Sequence, residues 1–165
     1  MAADIFLQFT SPDLKGESTD TQLKDQIELQ SWSWGESQSG SHRGTSGAAA
    51  GRVDMQDLSV TKLVDKSSPQ LMLKCALGQH FGKVVLSVRK AVGDKKSQQP
   101  YIIITMETVL ISSYQIGGSD GAGVPTESVT LNFAKITYDY KVQDSKGILT
   151  SAGAVTVDVA KGESA

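Results

Sequence analysis

IELQSWSWGESQSGSHRGTSGAAAG, residues 27–51, runs from a strand with two tryptophans straight into a long series of glycine, serine and alanine. Alternation puts Ile27, Leu29, Ser31 and Ser33 on one face and Glu28, Gln30, Trp32 and Trp34 on the other, so the apolar side changes within the strand. Both faces therefore need partial cover. Trp32 and Trp34 have two readings, packing in a barrel core or buttressing the base of the loop that follows. So long an irregular stretch is uncommon in a compact domain unless it has a job. An arm for self-assembly, extending from the body as an open hairpin, is the expectation.

Working outward, residues 4–10 read as a short apolar strand and 11–20 as a polar surface connection with Pro12 and Gly16. Downstream of Gly51, Val53 and Met55 lie on one parity but Leu58, Val60 and Val64 on the other. That break at Asp57 and Leu58 suggests a bulge bending one strand, as a closed barrel requires. One helix is predicted over residues 69–77, with Ser67 or Ser68 as N-cap, Pro69 in the first turn and Gly78 ending it. Ser67 and Gln70 have capping-box spacing. Leu71, Met72, Leu73, Cys75, Ala76 and Leu77 encircle the helix, so one sheet cannot cover it and a second subunit is a candidate for the rest. Substituting Leu71 or Met72 by Ala should cost about 2–5 kcal/mol where the side chain is buried.

The second half is strand throughout: 83–90 with Val84, Leu86 and Val88 inward, 101–112, 127–140, and a last alternation at Val155, Val157 and Val159. With a single helix this reads as an antiparallel barrel or sandwich. The 165 residues, 39% hydrophobic and 21% charged, fit one domain able to build its own core. Sixteen basic against eighteen acidic residues leave a net charge of −2, which provides no global field for nucleic acid or an anionic membrane. The N-terminus MAADIFLQF lacks the basic and long apolar regions of a secretory signal, so cytoplasmic synthesis is expected. No apolar run approaches the ~20 residues of a membrane span, so insertion is not expected.

No chemistry-bearing constellation emerges. His42, His80 and Cys75 lack metal-ligand spacing, and no serine sits in a G-x-S-x-G elbow. Cys75 reads as a small hydrophobe of the helix. GGSDGAG at 117–123 lacks a phosphate-binding lysine and reads as a turn, and Asp120 alone makes no calcium site. Lys83, Arg89, Lys90, Lys95 and Lys96 read as a solvated face or half of a subunit contact. No enzyme activity and no cofactor or metal is expected. The rival binding reading is a monomeric ligand- or carbohydrate-binding β-barrel stacking its ligand on Trp32, Trp34 and Tyr101.

Longer motifs narrow this further. ADIFLQF, KGES at 15–18, SWSWG at 31–35, SQSG at 37–40 with its glycine-rich continuation, and VDMQDLSVTKLVDKSSPQLMLKC resemble the haemolysin co-regulated protein (Hcp) family, the tube subunit of the bacterial type VI secretion system. GQHF, LSVRKA, YIIITMETVLISSY, the GGS turn and ESVTLNFAKITYDY extend the resemblance to about residue 140.

The resemblance implies a barrel of two antiparallel β-sheets, one short helix at about 68–78 and an extended loop at about 36–52, within one domain over residues 1–165. It implies hexameric rings that stack into a tube, with a contractile sheath and a tube-tip spike as partners. Ser39, Gly40, His42, Arg43, Gly44, Thr45, Gly47, Ala48 and Gly51 would form the ring-stacking loop, and Leu71, Met72, Cys75 and Ala76 the helix core and subunit contact. The lumen would receive and protect small effector proteins. Ser31 and Ser33 are the expected lumen contacts, or else barrel residues facing loops. Export would follow cytoplasmic assembly, through the type VI apparatus and without a signal peptide. The chain ends soon after the barrel, so no C-terminal toxin domain is expected and cargo would be a separate protein.

Overall fold

The computed structural model describes residues 3–41, 49–90, 98–121 and 123–164. Strand β1 (Ala3–Thr10) pairs antiparallel with β7 (Phe81–Lys90), which pairs in turn with β8 (Pro100–Gly117) and β8 with β9 (Thr126–Gln143). The two 18-residue strands β8 and β9 form the longest ladder, from Ile102 opposite Tyr140 to Gly117 opposite Thr126. The other edge of β9 is shared. Its first part pairs with β6 (Leu58–Leu63), and its later part with β10 (Leu149–Asp158), which carries β11 (Glu163–Ser164).

Closure comes from residues 27–33. Strand β2 (Ile27–Leu29) pairs with β1, β3 (Ser31–Ser33) pairs with β6, and at Gln30 between them the backbone N–H donates to Thr61 O at 2.7 Å. The run thus changes partner at the point where its apolar parity changes, with Ile27 and Leu29 buried before it and Trp32 packed on the core after it. A single nine-stranded sheet forms the barrel, rather than two separate sheets. Its interior is filled from every wall, by Leu7, Phe9, Leu58, Val60, Val84, Leu86, Met106, Val109, Val129 and Leu131 among others.

The expected bulge at Asp57 and Leu58 is instead a strand boundary. β4 (Glu36–Ser41) and β5 (Ala49–Met55) form their own two-stranded sheet, and β6 starts at Leu58 in the barrel. Residues on either side of the parity break belong to different sheets, so they owe each other no common face. The stretch 36–52 is accordingly hydrogen-bonded strand at both ends, not one long irregular loop.

Helix α1 (Ser68–Leu77) has Ser67 at the N-cap, Pro69 in its first turn and Gly78 in the left-handed region at φ 60°, as predicted. The capping box does not form. Ser67 Oγ bonds Asp65 Oδ1, and Ser68 Oγ accepts from the Asp65 N–H at 3.0 Å. Of the helix residues named above, Leu71 is buried and Cys75 half-buried against the core, whereas Met72 and Ala76 are exposed. A helix packed on one side alone is the reason.

Candidate assembly surfaces

Two buried charge clusters fix the barrel before any surface is presented. Lys62 and Glu127 occupy inward positions on paired strands, directly opposite each other. Lys62 Nζ reaches Glu127 Oε2 at 2.7 Å, Asp65 Oδ1 at 3.1 Å and Ser68 Oγ at 3.3 Å, while Tyr114 OH donates to Glu127 Oε1 at 2.6 Å. Burial, then the bond to Glu127, pushes the Tyr114 hydroxyl up to about 12. The cluster ties the start of α1 to β6, β8 and β9.

The second cluster corrects the reading of the basic stretch. Arg89 is 1% exposed, not on a solvated face: its guanidinium stacks 4.9 Å from the centre of the Phe6 ring and reaches Asp20 Oδ2 at 2.7 Å. The arginine hydrogen bond holds the Asp20 carboxyl down at about 2 against the desolvation that opposes it. Connection 11–26 is thereby clamped over the outer face of β1 and β7. Lys90 lies over the Tyr101 ring at 5.0 Å, and Lys95 and Lys96 fall outside the described residues.

Ser31 and Ser33 are exposed, on the face of β3 opposite Trp32. The ladders continue each of them into a row of small polar side chains. Ser33 stands opposite Ser59, Ser59 opposite Thr130 and Thr130 opposite Ser113; Ser31 stands opposite Thr61, Thr61 opposite Ser128 and Ser128 opposite Gln115. Thr130 Oγ1 bonds Ser113 Oγ at 2.5 Å and Ser112 Oγ at 2.8 Å, and Asp57 accepts from Ser112 at 2.6 Å and Asn132 at 2.8 Å. Four strands thus present one hydroxyl-rich wall with Asp57 at its border.

The arm springs from the end of that wall. Trp34 packs on the core with its ring 6.4 Å from Phe133, immediately before β4, and Gln56 N–H donates to Gly35 O at 3.0 Å across the base. Core packing and support of the arm are therefore the same contact. Ser39, Gly40 and Gly51 lie in β4 and β5, whereas His42, Arg43, Gly44, Thr45, Gly47 and Ala48 lie outside the described residues. Among described residues no group of three or more His, Cys, Asp or Glu could hold a metal, and no helix is long and apolar enough to cross a membrane.

Comparison with known proteins assigns this barrel to a family. The family model for the type VI secretion system effector Hcp matches residues 6–140. The chain belongs to the Hcp family. It is 47% identical over 147 residues to Protein hcp1 of Pseudomonas aeruginosa, covering 89% of this chain and 88% of that one. A solved type six secretion system protein superposes with a TM-score of 0.90 at 28% identity, covering 99% and 100% of the two chains. Hcp1 from Salmonella typhimurium superposes at 0.77 and 27% identity over the full length of both. As an Hcp, the chain is a structural tube protein of the type VI secretion system and is secreted by it. The carbohydrate-binding alternative loses its platform, since Trp32 and Trp34 pack on the core and Tyr101 is engaged by Lys90 and Tyr140.

Proposed function

We propose that this Hcp assembles in the cytoplasm as a six-subunit ring and that rings stack through the β4–β5 arm into the inner tube. A contractile sheath then drives the tube and its spike out of the cell. The single domain spans residues 1–165, with the arm at about 36–52. The observation that carries this reading is that, among the described residues, β4 and β5 pair only with each other, forming a sheet outside the barrel. An isolated two-stranded sheet is marginal in water, so such an arm gains by lying against another surface.

The hydroxyl wall through Ser31 and Ser33 supports a cargo-facing lumen. Neutral hydroxyls keep a passage wet without the strong local fields that would select one cargo charge over another. Small effector proteins are the partners this wall suits.

Light scattering and electron microscopy of the full-length protein test the reading. The wild type is expected as rings of six that stack at high concentration, and deletion of residues 45–50 as rings that do not stack. A monomer at every concentration overturns the ring, and unchanged tubes from the deletion overturn the arm's role.

A further inference from the structure

The hydroxyl wall is neutral through its two middle rows and carries a fixed charge only at its border. Asp57 stands two residues before Ser59 and Asn132 two after Thr130, so both continue the face of the wall toward the base of the arm. Asn132 Nδ2 donates to Asp57 Oδ1 at 2.8 Å, and Ser112 Oγ donates to Asp57 Oδ2 at 2.6 Å. One donor holds each oxygen, so the carboxylate is oriented before anything binds it.

Both donors are neutral. They position the charge without cancelling it, and among the described residues no ion pair reaches Asp57, whereas Asp20, Asp65 and Glu127 each have a basic partner. A carboxylate oxygen that accepts one bond keeps a lone pair for a second, so half-buried Asp57 stays open to a cation from the solvent side. Its place matters as well. Gln56, the residue before it, closes the base of the arm through Gly35, so the charge marks the end of the wall from which the arm springs. On a surface otherwise made of hydroxyls, one fixed anion dominates the local potential.

We propose that Asp57 anchors a lysine or arginine side chain of cargo, so that the passage favours small proteins with a basic surface. The proposal rests on the cargo-facing reading of the wall above and adds a charge preference to it. A charge-assisted bond to a preoriented carboxylate is stronger than the neutral contacts along the wall, and in a ring each subunit offers one such carboxylate at the same level. The middle rows leave the rest of the cargo surface unselected.

The test mixes full-length rings with lysozyme, a small basic protein, and with lysozyme whose lysines are succinylated, and reads co-elution in gel filtration. The wild type is expected to retain native lysozyme and not the succinylated form, and to release it as salt screens the contact. Asp57→Asn is expected to weaken retention about tenfold at unchanged ring yield. Asp13→Asn, an equal change of charge at an exposed position of connection 11–26, is expected to leave retention unchanged. Equal losses in both variants, or none in Asp57→Asn, overturn the anchor, as does a wild type that retains both forms alike or neither. Should Asp57→Asn fail to fold or to form rings, Asn132→Lys replaces it: a cation seated beside the carboxylate is expected to cause the same loss, and undiminished retention overturns the anchor. The wall is judged apart from its charge by effector co-purification with Ser33→Gln, whose failure to fall removes the cargo-facing reading itself.

Discussion

The two ends of the β8–β9 ladder are built from one face of one sheet and differ in what covers it. At the α1 end the face is sealed: Val109, Ile111, Val129 and Leu131 are buried, and the Lys62–Glu127 pair closes the bottom with every partner supplied by the same chain. At the other end Tyr138, Tyr140 and Val155 carry that face into solvent. The first end holds the protomer together, and the second leaves the same face open.

The sharpest way to break this contrast is to attack the sealed end. Glu127→Ala leaves Lys62 with the Asp65 carboxylate and the neutral oxygens of Ser68 and Leu63, and strips Tyr114 of its acceptor. Removing one member of a buried pair should cost about 3–5 kcal/mol, read as a lower urea midpoint at unchanged slope. A loss under about 1 kcal/mol would mean that solvent reaches the pair. Next in size is a comparison within α1. Leu71→Ala empties a buried site and should cost about 2–5 kcal/mol, whereas Met72→Ala, one residue on, should stay within about 0.5 kcal/mol in the monomer. Equal losses would show that α1 has no exposed side.

How much of this was legible follows from what each signal depends on. The inward Val84, Leu86 and Val88 and the limits of α1 were readable because alternation, Pro69 and Gly78 act locally. The parity change at Gln30 was visible too, although its meaning, a strand changing partners to close a barrel, depends on β1 and β6. The break at Leu58 looked the same in sequence and marks a passage between sheets, so parity alone does not separate the two cases. Lys62 and Glu127 were missed because a charge on an inward position contradicts the pattern until its partner is known. The clue was available, since Lys62 shares parity with Leu58 and Val60, and Glu127 with Val129 and Leu131. Arg89 was misread for a similar reason: its cover comes from Asp20 and Phe6, distant in sequence. Ser31 and Ser33 were found, but the wall they belong to required the register of four strands.

A smaller effect concerns the outer clamp. Asp20 has a folded value near 2, below its ordinary 3.8, because Arg89 bonds its charged form. A depressed carboxylate contributes fully above its unfolded value and loses that contribution as pH falls through its folded one. Between about pH 4 and pH 2 the protomer should lose about 1–2 kcal/mol from this contact, a figure reduced for partial solvent screening. Asp20→Asn should flatten that part of the acid profile, and an unchanged profile would assign the acid sensitivity to other carboxylates.

The smallest expected effect on stability is at Ser33. Its side chain is exposed and has only small polar neighbours in its row, so Ser33→Gln adds bulk without charge, cavity or lost partner. The urea midpoint should move by no more than about 0.5 kcal/mol, and the ring should form as in the wild type. If the hydroxyl wall faces cargo, the same substitution raises a bump on a surface otherwise made of serine and threonine, and effector co-purification should fall while ring yield does not. Unchanged co-purification would remove Ser33 from the cargo surface. A fall in both would instead place the wall between subunits, since only there would one neutral side chain disturb assembly and cargo together.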